Sequence, residues 1–192
     1  YSRARNLHRC AQVVVAEHGG AFPTTSEALA RLPGIGRSTA AAIAAFCFGE
    51  RVAILDGNVR RVLARVLAFD RDLADPGAER ALWDAATALL PAREIEAYTQ
   101  GMMDLGATVC LRTRPRCDVC PVADDCVART THRITVLPSP RPRKALPERA
   151  VRVLLIERAG AILFEKRPPV GIWGGLWSLP EVALDDDVPA HV

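Results

Sequence analysis

At 192 residues and 49% apolar content, the chain is long enough for one large domain, or for a medium domain and part of a second. A net charge of +3 does not by itself mark a nucleic-acid protein, because a basic footprint depends on clustering. Apolar runs such as 39–48 fall short of the ~18 residues a membrane span requires, and no charged-then-apolar leader opens the sequence, which predicts a cytoplasmic protein with no membrane partner.

In chain order, apolar residues at three- and four-residue spacing predict helices over 3–18, 26–32, 37–48, 58–69, 78–90 and 94–110. Gly19-Gly20, Pro23, Leu32-Pro33-Gly34-Ile35-Gly36, Asp56-Gly57 and Asp75-Pro76-Gly77 punctuate them. Composition shifts over 131–149, where Pro138, Pro140, Pro142 and Pro147 alternate with Arg141, Arg143 and Lys144, the pattern of an extended basic linker. Beyond it, 151–157 and 161–167 carry the β-branched, apolar character of two strands joined across Arg158-Ala159-Gly160. The division is therefore a helical domain over 1–130, a linker, and the start of a domain of different class over 150–192.

Six cysteines are present, and four of them, Cys110, Cys117, Cys120 and Cys126, follow the spacing C-x6-C-x2-C-x5-C. One compact loop at 110–126 can bring those four thiolates round a single centre, which suits either tetrahedral zinc or an iron–sulfur cubane. Disulfides are disfavoured, since nothing suggests export and the thiols are crowded together. Cys10 and Cys47 stand in apolar helical surroundings and are expected in the core. Arg112, Arg114 and Arg116 lie between the first two cysteines, where a rigid loop would present them to phosphates; exposed arginines in a turn also serve solubility alone.

Leu32, Gly34, Ile35 and Gly36, followed by a helix from Arg37, Ser38 and Thr39, have the form of a helix-hairpin-helix at 26–48. Its glycines let backbone approach closely, and the following N–H groups can hold a phosphate without reading sequence. An ordinary helix–helix turn has the same look. Twenty residues after Gly36 comes Asp56, with Asn58 two further on; an aspartate there also serves simply as a helix N-cap.

Hairpin, aspartate and cysteine spacing in this order resemble the endonuclease III superfamily of DNA glycosylases over 1–130. The resemblance implies a mainly α helix-hairpin-helix glycosylase fold, double-stranded DNA as partner, a flipped-out base, and a [4Fe–4S] cluster on the four cysteines. It also gives Asp56 the role of stabilising the cationic sugar as the glycosidic bond breaks, with Asn58 orienting it and Ser38 lining the pocket. Bifunctional members carry a nucleophilic lysine where Ser38 stands, and no lysine precedes Lys144, so a monofunctional, water-using glycosylase is expected.

The segment 145–180, with Pro168-Pro169-Val170-Gly171-Ile172-Trp173 and Trp177, resembles the linker and start of the Nudix-like domain of MutY-type adenine glycosylases. Tyr1 to His8 and Gln100 to Ala107 are similar to the same branch. This implies removal of adenine from A:8-oxoguanine or A:G mispairs by a monomeric, nucleoid-associated bacterial enzyme. The branch's general acid is a glutamate expected before Tyr1, since Glu17, Glu27 and Glu50 sit in no matching motif; residues 1–192 alone are expected to be inactive, with Tyr1 at the edge of the wedge loop. The alternatives are a pyrimidine-damage glycosylase of the endonuclease III branch and a non-catalytic iron–sulfur DNA-binding module.

Overall fold

A computed structural model describes residues 2–73, 75–139 and 146–185, divided into a helical unit, Tyr1–Pro142, and a second unit, Arg143–Val192. Tyr1, Pro140, Arg141, Pro142, Arg143 and Lys144 lie outside the described residues, so the expectations placed on them are not addressed structurally.

In the helical unit, α1 (Ser2–His18), α2 (Ser26–Leu29), α3 (Arg37–Phe48), α4 (Gly57–Val66), α5 (Pro76–Ala88), α6 (Ile95–Asp104) and α7 (Val127–Thr130) follow one another through short turns. Local chemistry sets their starts. The Thr25 hydroxyl, the Asp56 carboxylate and the Asp75 carboxylate each accept N–H groups at the heads of α2, α4 and α5, and Pro76 occupies the first turn of α5, where its missing N–H costs nothing. Gly49 closes α3 in the left-handed conformation, with its N–H on the Ala44 and Ala45 carbonyls.

Helix α3 is the centre of the packing. Ala40 and Ala44 close one core with Cys10, Val14, Leu29 and Leu32, while Ala41 and Ala45 close a second with Ile54, Leu63, Leu82 and Trp83. Four small side chains on adjacent faces let α3 lie between two layers at close range. A third, smaller cluster joins Cys126, Ala128 and Leu137.

The expected helices 26–32 and 58–69 are shorter than their periodicity implied. After Val66 the chain passes Ala68 at φ 48° and returns the Phe69 N–H to the Ala64 carbonyl, which ends α4. The expected 94–110 helix leaves α-geometry at Asp104 and widens into a π turn, Leu105–Val109, closed by the Cys110 N–H on the Leu105 carbonyl at 2.7 Å. Cys10 is buried as expected, but Cys47 is exposed. Its position lies about 200° round the helix from Ala45, in a last turn that runs past the core.

In the second unit each expected strand is broken in two. The pairs are β1 (Arg152–Val153) with β6 (Glu181–Val182), β2 (Glu157–Arg158) with β3 (Ala161–Ile162), and β4 (Glu165–Lys166) with β5 (Trp177–Ser178), all antiparallel. The hairpin at 158–161 is where expected, with Ala159 and Gly160 both at positive φ, as a two-residue turn requires.

Candidate functional site

The hairpin joins α2 to α3 as a tight turn whose Ile35 N–H reaches the Leu32 carbonyl at 3.2 Å. Gly34 has φ +81°, and a Cβ there would lie 2.7 Å from Asn6 Cβ on α1, so both the conformation and the close approach demand glycine. Gly36 precedes α3 without a side-chain cap, and the first helical bond is Ala40 N–H to the Gly36 carbonyl at 2.9 Å. The N–H groups of Arg37, Ser38 and Thr39 therefore precede the ladder, at a surface where Gly34, Gly36, Arg37 and Thr39 are exposed. Two residues of the expected DNA-binding set also make contacts within the fold. Leu32 is 3% exposed and anchors the hairpin in the core. The Arg37 guanidinium stacks 3.8 Å above the Trp83 ring.

Ser38 connects the hairpin helix to the aspartate. Its hydroxyl accepts the Leu55 N–H at 3.0 Å, fixing the residue immediately before Asp56. Asp56 is half-buried, and its Oδ1 accepts both the Asn58 N–H (2.9 Å) and the Val59 N–H (2.8 Å). Both bonds fall on one oxygen, which orients the carboxylate and leaves Oδ2 without a hydrogen bond among the described residues. Asn58 holds Asp56 through its backbone. Its side-chain oxygen instead accepts from Arg61 at 2.9 Å.

Arg61 was not singled out in the sequence, yet it carries the link to the cysteines. Its Nε donates to the Cys110 carbonyl at 2.7 Å and an Nη donates to the Gly106 carbonyl at 2.6 Å. Gly106, also unanticipated, lies in the π turn directly over α4, where a Cβ would meet Asn58 Cβ at 2.6 Å and its Cα at 3.1 Å. Only a glycine permits that approach.

Cys110, Cys117, Cys120 and Cys126 are all free thiols and line one cavity of about 360 Å³, its mouth included, with Val62, Arg65, Leu105 and Ile134 among the other walls. The Cys117 thiol is pushed up from its ordinary value of 9.0, first by burial and then by the neighbouring Cys110, Cys120 and Cys126, against an opposing pull from Arg65. Among the described residues no three metal-ligating side chains converge on one point as they would round a single ion. Arg112, Arg114 and Arg116 are exposed on the loop between Cys110 and Cys117. Of the three glutamates weighed as acids, Glu50 is occupied on Ser26, accepting its N–H and its hydroxyl at 2.6 Å each, Glu27 pairs with Arg31, and Glu17 is exposed on α1.

A helix-hairpin-helix motif model matches residues 17–46, which covers the end of α1, α2, the hairpin and most of α3. The fold is similar to an endonuclease III in a non-covalent complex with DNA, at 25% identity and TM-score 0.57, covering 68% of this chain and 59% of that one. The chain therefore has the mostly helical, endonuclease III-like architecture of the helix-hairpin-helix DNA glycosylases. In sequence it is similar to the adenine DNA glycosylases of bacteria and eukaryotes. It is 33% identical over 181 residues to that of Buchnera aphidicola subsp. Acyrthosiphon pisum (94% of this chain, 52% of the relative), and 34% identical over 232 residues to that of Homo sapiens (96% and 42%). The chain spans about half the length of these curated relatives. No helix among the described residues is long and apolar enough to cross a membrane.

Proposed function

We propose that the chain is the Asp56- and cysteine-bearing part of a monofunctional DNA glycosylase of base-excision repair, which hydrolyses the N-glycosidic bond of adenine mispaired with 8-oxoguanine or guanine. The observation that carries the reading is the state of Asp56: a carboxylate with one oxygen locked by two N–H groups and the other left open, beside a helix-hairpin-helix. Such a carboxylate offsets positive charge on the sugar that develops only in the transition state, at no cost in reorganisation. Ser38 supports the reading in two ways. It fixes Leu55 and hence the approach to Asp56, and it places a hydroxyl, not an amine, where lyase members of the superfamily carry their nucleophile. Glu50 and Glu27, held on Ser26 and Arg31, are not assigned proton delivery to adenine in this reading.

Double-stranded DNA is the partner. The N–H groups opening α3 and the exposed Arg112, Arg114 and Arg116 hold phosphates. A [4Fe–4S] cluster fits the cysteine loop, because four free thiols line one cavity and a buried arginine stands against Cys110. Cys110, Cys117, Cys120 and Cys126 would hold it, and bound there it supplies the rigidity that keeps the arginine loop in place. Residues 150–192 are read as the beginning of a Nudix-like domain, and the working form as a nucleoid-associated bacterial monomer. The test is single-turnover excision by the full-length protein on duplexes carrying A:8-oxoguanine, A:G or an oxidised pyrimidine. Release of adenine without strand cleavage is expected. Excision of the pyrimidine alone would favour the endonuclease III branch, and binding without any excision would favour a non-catalytic module.

A further inference from the structure

Arg65 is the anomaly of α4. It is 2% exposed, and among the described residues no carboxylate pairs with it. Arginine stays protonated in proteins, so a full positive charge lies in the interior, where charges are tolerated only when paired or richly hydrogen-bonded. Three of its four acceptors lie at the head of the cysteine loop. Nε donates to the Leu137 carbonyl (2.9 Å), one Nη to the Leu111 carbonyl (2.7 Å) and to Cys110 Sγ (3.4 Å), and the other Nη to the Arg112 carbonyl (3.1 Å). Three consecutive residues at the head of the cysteine loop are thus gripped by one fork. Three carbonyl dipoles supply hydrogen bonds but no countercharge, and the remaining partner is a sulfur.

We infer that Arg65 is a positioning residue whose buried charge is balanced by an anionic metal–thiolate group on the four cysteines, so that it both fixes Cys110 and sets the electrostatics of that group. The inference rests on the cluster reading above. Four thiolates on a cubane leave a net negative charge, which a guanidinium at hydrogen-bond distance from one ligand sulfur offsets directly. A nearby positive charge favours the more reduced, more negative form. Removing it therefore makes the group easier to oxidise. Lysine at the same place would keep the charge but lose the planar fork that holds residues 110–112.

The test uses full-length protein purified without oxygen, in its native form and as Arg65→Gln and Arg65→Lys. Iron and zinc content, far-ultraviolet circular dichroism and the one-electron midpoint potential at a mediated electrode are recorded. Poised at the native midpoint, Arg65→Gln should show about a tenfold higher ratio of oxidised to reduced cluster, equivalent to about 59 mV. Arg65→Lys should stay within about threefold of native while losing iron faster. If the Gln variant does not fold, the Lys variant decides alone, and a tenfold shift in it overturns the inference. Equal shifts in both variants, or none in either with iron retained, overturn it too and leave the cluster reading standing. Native protein that carries no iron would instead sink the cluster reading, and this inference with it.

Discussion

Replacing Asp56 by asparagine separates its two roles, because asparagine keeps the geometry and removes only the charge. The side-chain oxygen of asparagine can accept the same two bonds now made by Oδ1 at 2.9 and 2.8 Å, and Asn and Asp cap helices about equally well. What is lost from stability is the attraction of a carboxylate to the head of α4, about 0.3–1 kcal/mol at such a site. The chemical step is affected far more. A preorganised charge that acts in the transition state contributes about 10²- to 10³-fold, or roughly 2.7–4 kcal/mol. In the full-length protein, Asp56→Asn should therefore slow single-turnover adenine excision by ~10²-fold or more, with mismatch affinity within a few-fold of native. Asp56→Ala should be as slow and also less stable by about 1 kcal/mol, from the lost cap. The assay pairs excision kinetics with thermal unfolding. Near-native excision by the asparagine variant, alongside a destabilised alanine variant, would reduce Asp56 to a helix cap and refute the catalytic reading.

Four further expectations follow from single contacts. Cys117→Ser should lower iron content and with it DNA affinity through Arg112, Arg114 and Arg116, read by metal analysis and salt-dependent binding; unchanged affinity in an iron-free variant would disconnect the loop from DNA. Gly106→Ala forces a Cβ to 2.6 Å from Asn58 Cβ and 3.1 Å from its backbone, so thermal unfolding should reveal a loss of about 1–3 kcal/mol, and an unchanged melting temperature would contradict the close approach. Ser38→Ala leaves the Leu55 N–H without its acceptor, for a similar loss of about 1–3 kcal/mol; a fully stable variant would show that this bond is dispensable. Asp75 is held below its ordinary 3.8 by the Gly77 and Ala78 N–H groups, opposed by burial and helped by Arg71. Its capping of α5 should thus be complete above 3.8 and fade only as pH falls through the lower folded value, so a carboxyl titration by NMR with a midpoint at or above 3.8 would argue against the cap.

What the sequence made legible was whatever local chemistry decides. Helix 37–48 was readable to the residue, because Gly36 and Gly49 bracket it and neither end depends on a distant partner. The cysteine loop was readable because four ligands of one type in a short stretch have few other uses. Where tertiary contact decides, the pattern misled. Periodicity runs through 94–110 without a break, but the backbone widens at 105 so that Gly106 can lie against Asn58, some fifty residues away in sequence. Cys47 sits in an apolar run, yet the core that the run serves ends at Ala45. Strands 151–157 and 161–167 were continuous in composition, while their pairing is divided among three short ladders.

Arginine is the instructive failure, since α4 carries Arg60, Arg61 and Arg65, and nothing in their spelling tells an ion pair from a buried anchor. Arg60 reaches Glu79 on α5 as an ordinary bridge, whereas Arg61 and Arg65, one turn apart on the same face, hold the Cys110 carbonyl and the Cys110 sulfur. The available signal was negative. Arg65 interrupts a helix whose stripe Val59, Val62, Leu63 and Val66 turns inward, and an arginine beside such a stripe must either reach out to water or find acceptors inside. Here it finds four inside, and three of them, Cys110 Sγ and the Leu111 and Arg112 carbonyls, belong to the cysteine loop. Helix α4 is about 15 Å long at 1.5 Å per residue, with Asp56 capping its head and Arg65 gripping the loop near its tail. The two features that the sequence offered separately, an aspartate after a hairpin and a set of cysteines, are thus the two ends of one short rigid element. That gives a physical reason for the cysteine loop to matter at a carboxylate none of the four cysteines touches: whatever fixes Cys110 also fixes Arg61, and Arg61 fixes the Asn58 side chain beside the Asp56 cap.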